Sequence, residues 1–88
     1  MCFVIEIEDI FDEKRKGYLA HSDAIGDFVV EEICDAHFFP QLKHVKQLLK
    51  NQMRENILSI EDGDFTVISI EEIELIKKKT IHVDDLSF

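Results

Sequence analysis

Ser22-Asp23-Ala24-Ile25-Gly26-Asp27-Phe28-Val29-Val30-Glu31-Glu32-Ile33-Cys34-Asp35-Ala36-His37 is the stretch on which the fold turns. Ile25, Phe28, Val29, Ile33 and Ala36 recur at three- and four-residue steps, the spacing of a helix with one buried face. Ser22 suits an N-cap, and Asp23 suits a first turn, where the helix dipole favours negative charge. Gly26 would cost such a helix up to about 1 kcal/mol relative to alanine, and close contact with a neighbour is one reason to keep it. The spacing predicts a helix from Ser22 to about His37.

Pro40 disfavours helical geometry at Phe39 and fits the first turn of a new helix. From Gln41 to about Asn56 the apolar positions are Leu42, Val45, Leu48, Leu49 and Met53, with Ile57 just beyond, again at helical spacing. Two helices joined by so short a connection form an αα-hairpin.

On either side of this pair the period changes. Phe3, Ile5 and Ile7 alternate with Val4, Glu6 and Glu8, which reads as a strand. Ile57–Ile60 and Phe65–Ile70 are rich in β-branched residues and flank Glu61-Asp62-Gly63-Asp64, a β-hairpin signal. Beyond Ile70 the reading divides. Ser69-Ile70-Glu71-Glu72 fits a capping box opening a short helix through Ile73, Ile76 and Lys77. Ile73-Glu74-Leu75-Ile76 equally fits a strand paired with Thr80-Ile81-His82-Val83. The helix is preferred, followed by a final strand ending near Asp84. The fold expected is therefore α+β: an N-terminal strand, an αα-hairpin, a β-hairpin, a short helix or strand, and a last strand. The helices would cover one face of a small antiparallel or mixed sheet. One proline and three glycines in 88 residues leave no linker, so residues 1–88 read as a single domain.

Charge is unevenly distributed. Nineteen acidic residues against ten basic ones give a net −9, which repels nucleic-acid backbones and anionic membranes over most of the surface. Residues 1–39 carry a net −7 and residues 57–88 a net −5, whereas Lys43, Lys46, Lys50 and Arg54 against Glu55 make residues 40–56 a net +3. Asp23, Asp27, Glu31 and Asp35 fall at four-residue intervals, and the four cations step by three, four and four. On two antiparallel helices the stripes would meet, Asp35 with Lys43, Glu31 with Lys46, Asp27 with Lys50 and Asp23 with Arg54. Such a ladder sets register more than stability, since exposed pairs contribute about 0–1 kcal/mol each. The alternative turns Lys43, Lys46, Lys50 and Arg54 outward as the partner-binding residues, towards phosphates or an acidic protein patch.

Chemical motifs are sparse. Cys34-x-x-His37 places a thiol and an imidazole one helical turn apart, with His44 beyond. Only Cys2, His21 and His82 remain to complete a zinc set of three or four ligands. No metal or cofactor is expected. The same pair lacks a glycine-rich oxyanion loop, so no catalytic residue is expected either. Glu6 and Glu8 read as the solvated side of a strand, and Glu61–Asp64 lacks the twelve-residue ligand spacing of a calcium loop. Lys77-Lys78-Lys79 suits the end of the expected third helix, and Phe38-Phe39 a corner between helices.

These features point to a small acidic, non-enzymatic binding protein that engages a basic protein partner, of inhibitor or immunity type, or one that imitates a nucleic acid. The alternatives are a nucleic-acid-associated regulator using the basic helix 41–56, and a small subunit of a larger assembly. An open edge strand would also let two copies pair as a homodimer. No apolar run approaches the ~20 residues of a membrane span. The first residues lack a secretory signal, and two cysteines are too few for a disulfide scaffold, which favours a cytoplasmic setting.

Overall fold

Seven strands and one α-helix are the main elements of the computed structural model, which describes residues 1–74 and 77–86. The strands are β1 (Cys2–Asp9), β2 (Lys16–Ser22), β3 (Gly26–Val30), β4 (Met53–Arg54), β5 (Ile57–Ile60), β6 (Gly63–Glu74) and β7 (Lys77–His82). The helix is α1 (Leu42–Gln52), and short 3-10 turns occupy Ile33–Asp35 and Val83–Asp85. All strand pairings are antiparallel, in the order β3-β2-β1-β6-β5-β4. β5 pairs with the start of β6 and β7 with its second half, both on the edge away from β1.

The αα-hairpin is overturned, and with it the α+β class: this is a mostly antiparallel sheet with a single helix. The segment expected as the first helix is half of a β-hairpin, in which Ala20 faces Phe28 and Leu19 faces Val29. Gly26, at φ +80°, adopts the left-handed backbone that ends the turn and starts β3. Phe28, Val29 and Val30 then alternate between the two faces of the sheet, and all three are half-buried. Consecutive apolar residues half-buried on both faces of a strand mimic the crowded apolar spacing of a helix. Ile25, expected in the helical core, is exposed at the turn.

The third helix is also corrected. Glu71–Glu74 extend β6 and Lys77–Lys79 begin β7, with Glu72 opposite Lys79 and Ile73 opposite Lys78. Ile76, expected within that helix, lies outside the described residues. Ile70 and Ile73 are β-branched and continue a twelve-residue strand, with Ile81 of β7 opposite Ile70, and a capping box is too local a signal to outweigh that ladder. The second expected helix is shorter than its apolar pattern, ending at Gln52. Met53 and Arg54 turn through Glu55 (φ 53°) and Asn56 (φ 65°) into β5, a two-residue hairpin of the left-handed kind.

The core lies between one face of the sheet and α1. Phe3, Ile5 and Ile7 of β1, Leu58, and Phe65, Val67 and Ile70 of β6 pack with Val45 and Leu49 of the helix. Each such side chain contributes roughly 1.5–3 kcal/mol when fully buried. The other face holds Val4 and Ala20, buried, and Glu71, whose carboxylate accepts hydroxyl protons from Thr80 (2.8 Å) and Ser69 (3.1 Å).

β2 pairs with β1 only at Glu6–Glu8, so the sheet splays open towards Phe3. The connector after the first 3-10 turn fills the gap. His37 donates its N–H to the Leu19 carbonyl (2.9 Å), and Phe39 exchanges two 2.8 Å backbone bonds with Phe3. At the far side the sheet curls round. Glu61 donates its N–H to the Asp27 carbonyl (3.2 Å), and the Asp62 carboxylate accepts the Val29 N–H (2.8 Å).

Candidate functional site

The cations singled out in the sequence stand clear of carboxylates. Lys43, Lys46 and Lys50 lie within about 60° of one another round α1, at about 100° per residue, and Arg54 follows on β4. Lys43, Lys50 and Arg54 are exposed, and Lys46 is half-buried. Among the described residues, none of the four has a carboxylate oxygen within 4.0 Å. The expected ladder is therefore overturned. Its carboxylates are dispersed: Asp23 in the β2–β3 turn, Asp27 on β3, Glu31 beyond it and Asp35 in the 3-10 turn. With the preceding helix gone, the basic side of α1 faces outward.

Acidic residues gather elsewhere. The β1–β2 loop and the β5–β6 turn meet at one end of the sheet, bringing Asp9, Asp12 and Glu13 close to Glu61, Asp62 and Asp64. Arg15 is the cation at their centre. Its guanidinium bonds to Asp9 (3.0 Å), reaches Asp62 (4.0 Å) and lies 5.2 Å from the Phe65 ring centroid. The Phe11 N–H, which donates to Asp9, and the Arg15 guanidinium hold the Asp9 carboxyl below the usual carboxylate range. Asp64 anchors two elements, accepting the Ile10 N–H on its carbonyl (3.2 Å) and the Ser59 hydroxyl on its carboxylate (2.6 Å).

A third feature was not anticipated. Where the sheet splays, Leu19, Phe39 and Leu48 wall a cavity of about 250 Å³ that also takes His21, Asp27, His37 and Gln52. His21 Nδ1 lies 2.8 Å from the Asp27 carboxylate, and its Nε2 lies 3.5 Å from Asp23. The bond to Asp27, helped by the charges of both carboxylates, raises the His21 pKa above its ordinary value. The His37 ring meets His21 at 6.0 Å and Phe39 at 4.4 Å, edge to face. This is an oriented acid–base pair, but none of the lining residues carries a hydroxyl or thiol nucleophile. Ser22 is turned to its own loop, accepting the Ala24 N–H, and Cys34 is exposed in the 3-10 turn. Among the described residues, no three His, Cys, Asp or Glu side chains are placed to hold a metal ion.

The cavity escaped the sequence because His21, Asp27 and His37 come together only once residues 16–30 are a hairpin. The available signal was the alternation of Leu19 and His21 with Tyr18 and Ala20 ahead of Gly26. Compared with known proteins, the chain matches no family model, no curated protein and no solved structure.

Proposed function

We propose that this is a small non-enzymatic binding protein that docks on a basic protein partner, as an inhibitor or immunity-type protein does, through the acidic end of its sheet. The observation that carries this reading is the convergence of Asp9, Asp12 and Glu13 with Glu61, Asp62 and Asp64, two segments distant in sequence, onto one end, linked by Arg15 and the Asp64 backbone. Clustered like charge on a scaffold fixed by hydrogen bonds raises association rates with an oppositely charged partner and discriminates against others. The proposed setting is the cytoplasm, which suits two free cysteines, one of them exposed. No helix of the described residues is long and apolar enough to cross a membrane.

A second reading is favoured by one observation, the four cations of α1 and β4 with no carboxylate oxygen within 4.0 Å among the described residues. On that reading α1 lies against the phosphates of a nucleic acid. One experiment separates the two. Partners captured from the source extract at low salt are compared for the wild type, for Asp12→Lys with Glu13→Lys and Glu61→Lys, and for Lys43→Glu with Lys50→Glu. The acidic-end reading expects basic proteins that elute as salt rises and are lost only from the first variant. Capture of nucleic acid, lost only from the second, would transfer the function to α1.

A further inference from the structure

We infer that Phe11, with Ile10 beside it, is an anchor that enters an apolar recess on a protein partner whose rim carries lysine or arginine. This deepens the acidic-end reading and rests on it. Phe11 is 89% exposed, the most open of the large apolar side chains among the described residues. Single exposed apolar residues are ordinary on protein surfaces, but the backbone under this one is held on both sides. Its own N–H donates to the Asp9 carboxylate (2.8 Å), and the preceding Ile10 N–H donates to the Asp64 carbonyl (3.2 Å). Across the loop, Arg15 donates its N–H to the Asp12 carbonyl (3.0 Å), and Asp9 donates its own to the Arg15 carbonyl (2.9 Å). The aromatic ring is thus projected from a loop whose ordering has already been done in folding. That removes much of the entropic cost that flexible loops meet on binding.

Charge selects the partner. Beside Phe11 runs a shallow open depression of about 580 Å³, bordered by Glu8, Asp9, Asp12 and Glu13 with Lys14 as the one cation. A recess that receives the ring must bring its rim against Glu8, Asp12 and Glu13, the Asp9 carboxylate being already bound by Arg15 and the Phe11 N–H, so a rim of Lys or Arg is attracted and an acidic one is repelled. Buried aromatic anchors ringed by polar contacts are the usual form of an interface hot spot.

Display of a random dodecapeptide library against the full chain supplies a defined probe. Peptides combining apolar residues with Lys or Arg should be enriched. Their affinity is then read by fluorescence anisotropy against variants. Phe11→Ala should weaken binding by about tenfold or more with Tm unchanged, since the ring makes little contact within the fold. Ile25→Ala, at another exposed apolar side chain, should bind like the wild type, and Asp12→Lys with Glu13→Lys should also weaken binding. Weakening in the lysine variant with none in Phe11→Ala would overturn the anchor and leave the acidic-end reading standing. Indifference of both variants, or no enrichment of basic peptides, would overturn both.

Discussion

His21 and Gly17 show how much single positions decide in so small a chain. The His21 pKa is raised by Asp27, so the protonated ring is favoured by the folded state. The resulting stability is complete below the unfolded value of 6.5 and is lost as pH rises through the higher folded value. Thermal melts across about pH 6 to 8 should therefore show a fall in Tm that flattens in Asp27→Asn. An NMR titration of the ring should place its midpoint above 6.5 in the wild type and lower in the variant. A wild-type midpoint at or below the unfolded value would show that Asp27 does not favour the imidazolium. Gly17 is constrained by space. A Cβ there would sit 2.1 Å from the Val30 carbonyl oxygen, which is backbone and cannot swing aside. Gly17→Ala should cost about 2 kcal/mol, in the range of overpacking substitutions, and chemical denaturation reads this as a lower midpoint. An unchanged midpoint would mean that β2 and β3 separate there at little cost.

At the scale of elements, α1 has two sides with opposite expectations. Leu49 is fully buried, and Leu49→Ala should destabilise by about 2–5 kcal/mol. Lys46→Glu with Lys50→Glu should change stability by less than about 1 kcal/mol, because among the described residues no carboxylate oxygen lies within 4.0 Å of either lysine. A large loss in the double variant, seen as a drop in Tm, would reveal an intramolecular partner for the stripe. The elements that the sequence made legible are those with one clean period. β1 alternates Phe3, Ile5 and Ile7 with Val4, Glu6 and Glu8 on the opposite face, α1 repeats Val45 and Leu49 with their neighbours, and Asp62-Gly63 marks the β5–β6 turn. β3 was not legible, because its five residues are half-buried on both faces and so show no alternation between a buried and an exposed side. The four-residue spacing from Asp23 to Asp35 was coincidence along a turn, a strand and a loop. The cations of the candidate surface were legible as a stripe, and only the absence of a facing helix shows which way they point. At the other margin of the sheet, Lys78 and Lys79 lie exposed on β7. Edge-to-edge pairing of two copies through this strand would bring like charges together, a common safeguard of open edges.

Across the whole molecule, negative charge dominates, with a net of −9 on 88 residues. Among the described residues, Arg15 is the only lysine or arginine with a carboxylate within reach, so repulsion outweighs attraction within the native state. Added sodium chloride should raise Tm at neutral pH by screening that repulsion over a Debye length of about 10 Å at 0.1 M. A Tm that falls with salt would instead place net stabilisation in ion pairs.

The central ladder joins β1 to β6, with Cys2 opposite Ile73 and Asp9 opposite Phe65. During synthesis the residues of β1 must therefore wait for those of β6 before their hydrogen bonds can close. During translation α1 and the β2–β3 hairpin are free to form early, but the hydrophobic layer beneath them stays open until β6 emerges. Loop closure on this scale slows folding. Assembly of the sheet thus follows the synthesis of β6, and a nascent chain stalled before Phe65 would present Phe3, Ile5 and Ile7 to chaperones.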